Sequence, residues 1–341
     1  MTLSTGPDTD EDLKGIASLI FTPIYRGITA HIMERFDLEQ LCRNIQTSKA
    51  TLTYVVPPVV VLLAKSPVVD KYDLSSLRLI QSAAAPLSSE LIEMVYEKLG
   101  VPIKQTYGMS EMSPAISAQV WLTSSSPTWY CFLLILRQSW KDWDKTMGSV
   151  GKLFPSMAMK IMRNDHELPA DQEGEVWLKG PNIFKGYYKN PKATAESIVD
   201  GWFRSGDIGY IDSDGHLYLT DRLKELIKYN GFQVAPAQLE GFLLGHPAVN
   251  DVAVVGVYVK ERATELPRAY VVLAKGYNSG MKLEKEISEW LHGQVAPYKR
   301  LRGGVRFVDS IPKSAAGKLL RRVLVERAKL EEEERTAKAK L

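Results

Sequence analysis

The chain has 341 residues, 45% of them hydrophobic and 24% charged, the composition of a soluble globular protein of about two domains, long enough to bury substantial cores. Its net charge of +3 comes with no basic stripe interleaved with aromatics, so nothing argues for a nucleic-acid partner. The two cysteines, Cys42 and Cys131, have neither metal-site nor disulfide-framework spacing, which fits a reducing intracellular setting.

Residues 1–14 are polar and turn-rich, read as an unstructured leader that lacks the basic-then-apolar order of a signal peptide. Ser4-Thr5-Gly6-Pro7 is rejected as a phosphate loop, because no lysine follows at useful spacing and no strand is expected before it. From Gly15 the pattern predicts an apolar helix, a short strand near Ile28 to Met33, and a helix capped by Asp37 with Gln40 three residues on. Thr53 to Val56 reads as a buried strand and Pro57 to Ala64 as a proline-started helix. Leu77 to Gln81 is a strand ending in Ser82-Ala83-Ala84-Ala85-Pro86, whose small residues let a flat ring approach the backbone. A helix over Ser88 to Leu99 follows.

Gln105-Thr106-Tyr107-Gly108-Met109-Ser110-Glu111 is the first motif with chemistry in it. Tyr107 offers a face for adenine stacking, Gly108 permits backbone approach, and the Ser110 hydroxyl can bond a phosphate oxygen. Glu111 is a hard oxygen ligand for phosphate-bound Mg²⁺, which seldom takes more than one or two protein carboxylates. Residues 119–141 form an atypical insertion, in which the apolar run Trp129 to Leu136 is far below the ~20 residues that span a bilayer, so no membrane span is expected. Strands are then expected over Met159 to Met162 and Glu175 to Lys179, and a helix from Pro191 through Ile198. In Gly201 to Lys228 the Asp214-Gly215 step between apolar residues predicts a hairpin that brings Asp207 and Arg222 towards one region. A carboxylate can accept two ribose hydroxyls there, and a guanidinium can hold a phosphate or ribose oxygen. Beyond it the alternation predicts helices at Pro236 to Leu244 and Leu283 to Leu291, strands at Val252 to Tyr258, Tyr270 to Ala274 and Val305 to Val308, and a long charged helix from near Lys318. Ile311 to Lys318 is a Pro/Ser/Gly loop able to carry a lysine into a cleft.

These motifs together resemble the adenylate-forming enzymes, acid–CoA ligases of the 4-coumarate–CoA ligase type, over Gly15 to about Ala118 and Asp142 to about Val325. Tyr107-Gly108-Met109-Ser110-Glu111 is similar to the family's YGxTE signature, with Ser110 for Thr and Thr106 for the usual Gly. The resemblance implies an α/β fold. The C-terminal part of the family's large domain, mixed sheets plus a small β-rich subdomain over residues 15–220, is followed by a small α+β lid over 221–330 hinged at 221–224. A charged tail occupies 331–341. It implies a carboxylic acid, ATP and coenzyme A as substrates, Mg²⁺ as cofactor, and AMP and pyrophosphate as products.

By position, Lys318 serves adenylation, Lys228 and Gln233 serve thioester formation, and Glu111 serves the metal. Ala84, Gln105, Thr106, Tyr107, Gly108, Ser110, Asp207, Arg222, Lys224 and Gly231 serve the nucleotide and CoA. Asn230 stands where plant ligases usually have a lysine. The family's Ser/Thr/Gly-rich phosphate loop ending in lysine has no counterpart in the sequence, so the chain is expected to be N-terminally truncated. Two other expectations stay open: a non-catalytic nucleotide-binding fragment, and another adenylate-former such as a luciferase-like oxygenase. The final Ala339-Lys340-Leu341 is similar to a peroxisomal address read by an import receptor; without it the protein would be cytoplasmic.

Overall fold

The computed structural model describes residues 2–5, 22–33, 36–83, 87–113, 115, 117–118, 146–313 and 319–338. The chain divides into two units, Met1–Leu219 and Thr220–Leu341, each described by itself.

The first unit opens with a parallel run. Strands β1 (Thr2–Thr5), β2 (Thr29–Ile32), β3 (Leu52–Val55), β4 (Leu79–Ser82) and β5 (Ile103–Tyr107) lie in the order β2-β1-β3-β4-β5. Parallel neighbours need crossovers, here supplied by helices. After the five-residue α1 (Thr22–Arg26) come α2 (Leu38–Ser48), α3 (Pro57–Lys65) and α4 (Ser89–Leu99). Asp37 caps α2 by accepting from the Gln40 amide at 2.7 Å, and Lys49 ends it in the left-handed conformation. Pro57 starts α3, where its missing N–H leaves no bond unmade. All four residues of β4 are buried, as expected of a strand covered on both faces.

One expectation is overturned. Thr2–Thr5 is a strand between β2 and β3, with Leu3 in register with Ala30 and Leu52, so it is not unstructured leader. A strand does precede Gly6-Pro7; the rejection of that segment as a phosphate loop rests only on the missing lysine. At the far side β2 pairs only with β1 among the described residues, and Ile24, Tyr25 and Ile32 around it are 76%, 80% and 60% exposed.

From β5 the sheet turns antiparallel through β6 (Ser117–Ala118) and β7 (Ser149–Leu153). The sequence-predicted insertion over 119–141 lies outside the described residues. The β-rich subdomain adds β8 (Ala158–Arg163), β9 (His166–Glu167), β10 (Gly174–Lys179), β11 (Ile198–Val199), β12 (Trp202–Ile211) and β13 (Leu217–Arg222), with α5 (Pro191–Ser197) before β11. The predicted hairpin is β12–β13. Asp212 Oδ1 accepts from the amides of Asp214 and His216 at 3.0 and 2.8 Å, and Gly215 adopts φ +83°.

The second unit holds the hairpin β14 (Ile227–Tyr229)–β15 (Phe232–Val234) and the sheet β16 (Val249–Val259)–β17 (Thr264–Leu273)–β18 (Val305–Phe307). Its helices are α6 (Pro236–Leu244), α7 (Met281–His292) and α8 (Arg321–Lys338). Side chains of β16 alternate between two cores. Val252 and Val254 join Leu239, Leu243, Ile287 and Leu291 from α6 and α7. Ala253, Val255 and Val257 join Leu324 and Ala328 of α8.

Strand β17 begins six residues before the sequence-predicted Tyr270. It runs through Pro267, which the strand tolerates because β18 pairs only with Ala269 to Val271, so the bond Pro267 cannot donate is not required there. The buried Arg268 locks α8 in place: Nη1 reaches Glu331 at 3.0 Å, Nη2 reaches Glu332, and Nε donates to the Gly303 carbonyl at 2.8 Å. Among the described residues no helix is long and apolar enough to cross a membrane.

Candidate active site

In the first unit the site is built at the C-terminal end of β5, where open α/β sheets bind ligands. Tyr107, the last residue of the strand, is 7% exposed and belongs to the apolar cluster of Met112, Val150, Ile161, Val176, Leu178 and Phe203. Its hydroxyl donates to Asp207 Oδ2 at 2.5 Å, a hundred residues away in sequence. Asp207 sits in β12, also 7% exposed, and its amide donates to Ser205 Oγ, which in turn donates to the Val176 carbonyl at 2.7 Å. A phenol and a carboxylate expected to serve one nucleotide are thus bonded to each other.

The chain after Tyr107 turns out through Gly108 and Met109 into a short 3-10 turn, Ser110–Met112, closed by Ser113 at φ 48°. Glu111 lies in that turn and its Oε1 accepts from the Tyr187 hydroxyl at 2.9 Å. Partial burial, and then the bond to Glu111, raise the Tyr187 phenol above its ordinary range. The Phe184 amide donates to the Glu111 carbonyl at 2.8 Å, and Asn182 Nδ2 donates to the carbonyls of Met112 and Ala115 at 2.8 and 3.0 Å. Residues 182–187 therefore clamp the turn that holds Ser110 and Glu111. No motif read from the sequence covers this clamp; its signal there is Asn182 and Tyr187, five residues apart after Gly180-Pro181.

Gln105 is committed to the scaffold. Its side chain, 2% exposed, accepts from the Leu87 amide at 2.8 Å and donates to the Ser149 carbonyl at 3.4 Å. Thr106 is half-buried and pairs with Ala118 across β5–β6. Ala84 and Lys318 lie outside the described residues.

In the second unit Arg222 and Lys224 are exposed, at the end of β13 and in the turn after it. The β14–β15 hairpin brings three candidates together: Lys228 and Gln233 are register partners, and Gly231 sits in the turn. Asn230 and Gly231 have φ 47° and 82°, the two left-handed residues of a two-residue hairpin turn. Asn is among the few non-glycine residues that enter this region readily, which accounts for Asn230 on backbone grounds. The hairpin is fixed from behind: Glu265 Oε2 accepts from the Lys228 amide at 2.7 Å, and Thr264 Oγ1 accepts from the Asn230 amide at 2.7 Å.

Among the described residues no group of three or more His, Cys, Asp or Glu side chains could hold a metal ion. A metal carried by phosphates asks less: one or two carboxylates suffice.

The first unit is thus an α/β fold with a parallel sheet ending in a Tyr–Asp pair and a β-rich subdomain, and the second unit is α+β. The chain belongs to the AMP-binding enzyme family, whose model matches residues 15–188, and the model of its C-terminal domain matches residues 238–318. It is 41% identical to a probable 4-coumarate–CoA ligase 2 of Dictyostelium discoideum over 92% of this chain and 53% of that protein. With 4-coumarate–CoA ligase 2 of Petroselinum crispum the identity is 42%, over 89% and 52%. The chain thus spans about half the length of the curated relatives it matches.

Among solved structures, amide bond synthetase McbA from Marinactinospora thermotolerans matches with a TM-score of 0.76 at 28% identity, over 95% of this chain and 60% of that one. The o-succinylbenzoate coenzyme A synthetase of Bacillus subtilis in complex with ATP and magnesium ion matches at 0.73 and 27%, over 94% and 61%.

Proposed function

We propose that the chain supplies the adenine- and ribose-binding side and the C-terminal domain of an ATP-dependent acid–CoA ligase acting on an aromatic, phenylpropanoid-like or fatty carboxylic acid. The observation that supports this most is the buried Tyr107–Asp207 bond at the strand end, joined to the family match on both units. In the reaction a carboxylate oxygen attacks the α-phosphorus, and the bond to pyrophosphate breaks. The CoA thiol, losing its proton, then attacks the acyl carbon and AMP leaves. AMP is a far better leaving group than the oxygen of a free carboxylate.

Asp207 would accept the ribose hydroxyls, and Tyr107 would present its ring to adenine. Arg222 would hold the neighbouring phosphate or ribose oxygen. Lys318 would stabilise the charge developing in adenylation, and Lys224, Lys228, Gly231 and Gln233 would serve the thioester step after rotation at the 221–224 hinge. Glu111, with Oε1 bonded to Tyr187, would offer Oε2 to Mg²⁺, which when bound would neutralise phosphate charge.

The chain should bind AMP weakly without any acid present. Asp207→Asn should remove most of that binding while keeping the shape of the side chain. Calorimetry on protein whose fold is checked by circular dichroism tests this; equal binding by the variant ends the assignment.

We also propose a peroxisomal destination read from Ala339-Lys340-Leu341. A fluorescent protein extended by this chain's C-terminus should enter peroxisomes, and deleting Leu341 should leave it in the cytosol. A cytosolic signal with the intact tail defeats the proposal.

A further inference from the structure

The second unit buries a charge cluster in which Glu225, Glu240 and Arg321 have no role in the assignments above and Asp221 enters them only as part of the hinge. Asp221 and Glu240 are 6% and 7% exposed, and Arg321, the first residue of α8, lies between Glu240 and Glu225. Helix α6 begins after Ala235, which has no side chain to cap it. Asp221 supplies the missing acceptor from sixteen residues upstream, its Oδ2 taking the Ala237 amide at 2.9 Å. Its Oδ1 takes the amide of Arg222 at 2.7 Å. The Arg222 carbonyl in turn accepts from the amides of Glu225 and Leu226 at 2.9 and 3.2 Å. Both backbone polar groups of Arg222 are therefore held.

The turn they form is tied onward. Glu225 Oε2 is 3.3 Å from Arg321 Nε, and Arg321 Nη2 donates to Glu240 Oε2 at 2.7 Å. Glu240 Oε1 accepts from the Val254 amide at 2.7 Å, in the middle of β16. An unbroken set of contacts thus joins the core sheet to the backbone of Arg222. Three carboxylates around one guanidinium are a poor way to stabilise a core, since apolar residues of similar size commonly do as well or better. What the cluster provides is a fixed place for the Asp221–Leu226 turn.

We propose that Arg321, acting through Glu225, is a positioning residue for Arg222, holding the turn so that the Arg222 guanidinium meets a nucleotide in one defined place. This rests on the assignment of Arg222 to the nucleotide made above. Lysine at 321 keeps the charge but, as a point charge, cannot serve Glu225 and Glu240 with a planar fork.

Four variants of the whole chain test it: Arg222→Ala, Arg321→Lys, Arg321→Met and Glu225→Gln. Arg321→Met leaves buried carboxylates uncompensated and can fail to fold; Glu225→Gln changes a side chain that is 30% exposed and avoids that outcome. Two readouts are taken: AMP affinity by calorimetry, and hydrogen exchange of the Leu223–Leu226 amides without ligand. Glu225→Gln and Arg321→Lys should each weaken AMP binding about tenfold, the loss of one partly buried ion-pair contact, with Arg321→Lys milder than Arg321→Met. The Leu223–Leu226 amides should exchange faster in both, while those of Val252–Val255 keep the wild-type rate, which separates positioning from general loosening.

Unchanged exchange at Leu223–Leu226 in both variants overturns the proposal, whatever AMP does. Unchanged AMP affinity in both, with binding lost in Arg222→Ala, overturns it as well. Wild-type AMP affinity in Arg222→Ala strikes instead at the nucleotide assignment beneath it.

Discussion

A protein made of these 341 residues alone should exchange pyrophosphate into ATP at near-background rates, and a version completed with a family-type N-terminal half and lacking residues 119–140 should recover acid-dependent exchange. The physical ground is the phosphate clamp. The sequence contains no Ser/Thr/Gly-rich loop ending in lysine, and such a loop supplies several backbone donors and one cation to the β- and γ-phosphates. Losing a single preorganised donor commonly costs ~10²–10³ in rate. In the completed enzyme Lys318→Ala should abolish exchange. Lys228→Ala should spare exchange and impair thioester formation, because Lys228 sits on the β14–β15 hairpin with Gln233, far in sequence from Lys318. The two half-reactions are followed separately, by isotope exchange and by acyl-CoA release. Strong exchange by the 341-residue chain would show that the clamp is dispensable. Equal loss of both half-reactions in both variants would remove the division of labour between the lysines.

The second large effect concerns acid stability. Burial pushes the Glu240 carboxyl up to about 7 from an ordinary 4.5, against the pull of Arg321 and the Val254 amide. Burial likewise raises Asp221. A group whose folded value is raised takes up its proton in the folded state first. Its contribution to stability is therefore fully present below about pH 4.5 and is lost as pH rises through about 7. Wild type should gain on Glu240→Gln by on the order of 2–3 kcal/mol between pH 8 and pH 5, because glutamine has no proton to take up. Urea denaturation of both proteins across that range, followed by circular dichroism, measures the difference. A wild-type curve parallel to that of Glu240→Gln would show that the carboxylate stays ionised throughout.

Most of the scaffold was legible because its signals are local. Asp37 before an amphipathic run, Pro57 and Ser88 at helix starts, and the Asp214-Gly215 step each fix a boundary within a few residues. The Tyr107 and Asp207 assignments came from motif resemblance, and their bond could not be read from spacing because a hundred residues separate them. What escaped was set by tertiary context. Thr2–Thr5 looks like polar leader until it is paired on both sides, and Pro267 forbids a central strand only where a neighbour needs its N–H. The Arg321 cluster escaped for a similar reason, since Asp221, Glu225, Glu240 and Arg321 carry no common motif and meet only in space.

The side of β2 that has no partner among the described residues bears on how the protein behaves in the test tube. A strand paired on one side presents a ladder of N–H and C=O groups to any other extended segment, and Ile24, Tyr25 and Ile32 add apolar side chains beside it. No lysine, proline or bulge lies within Thr29–Ile32 to discourage such docking, and a net charge of +3 over 341 residues gives little mutual repulsion. Among the described residues this edge is the place where concentrated preparations should self-associate, and a charged residue at Ile32 is the change that should keep them dispersed.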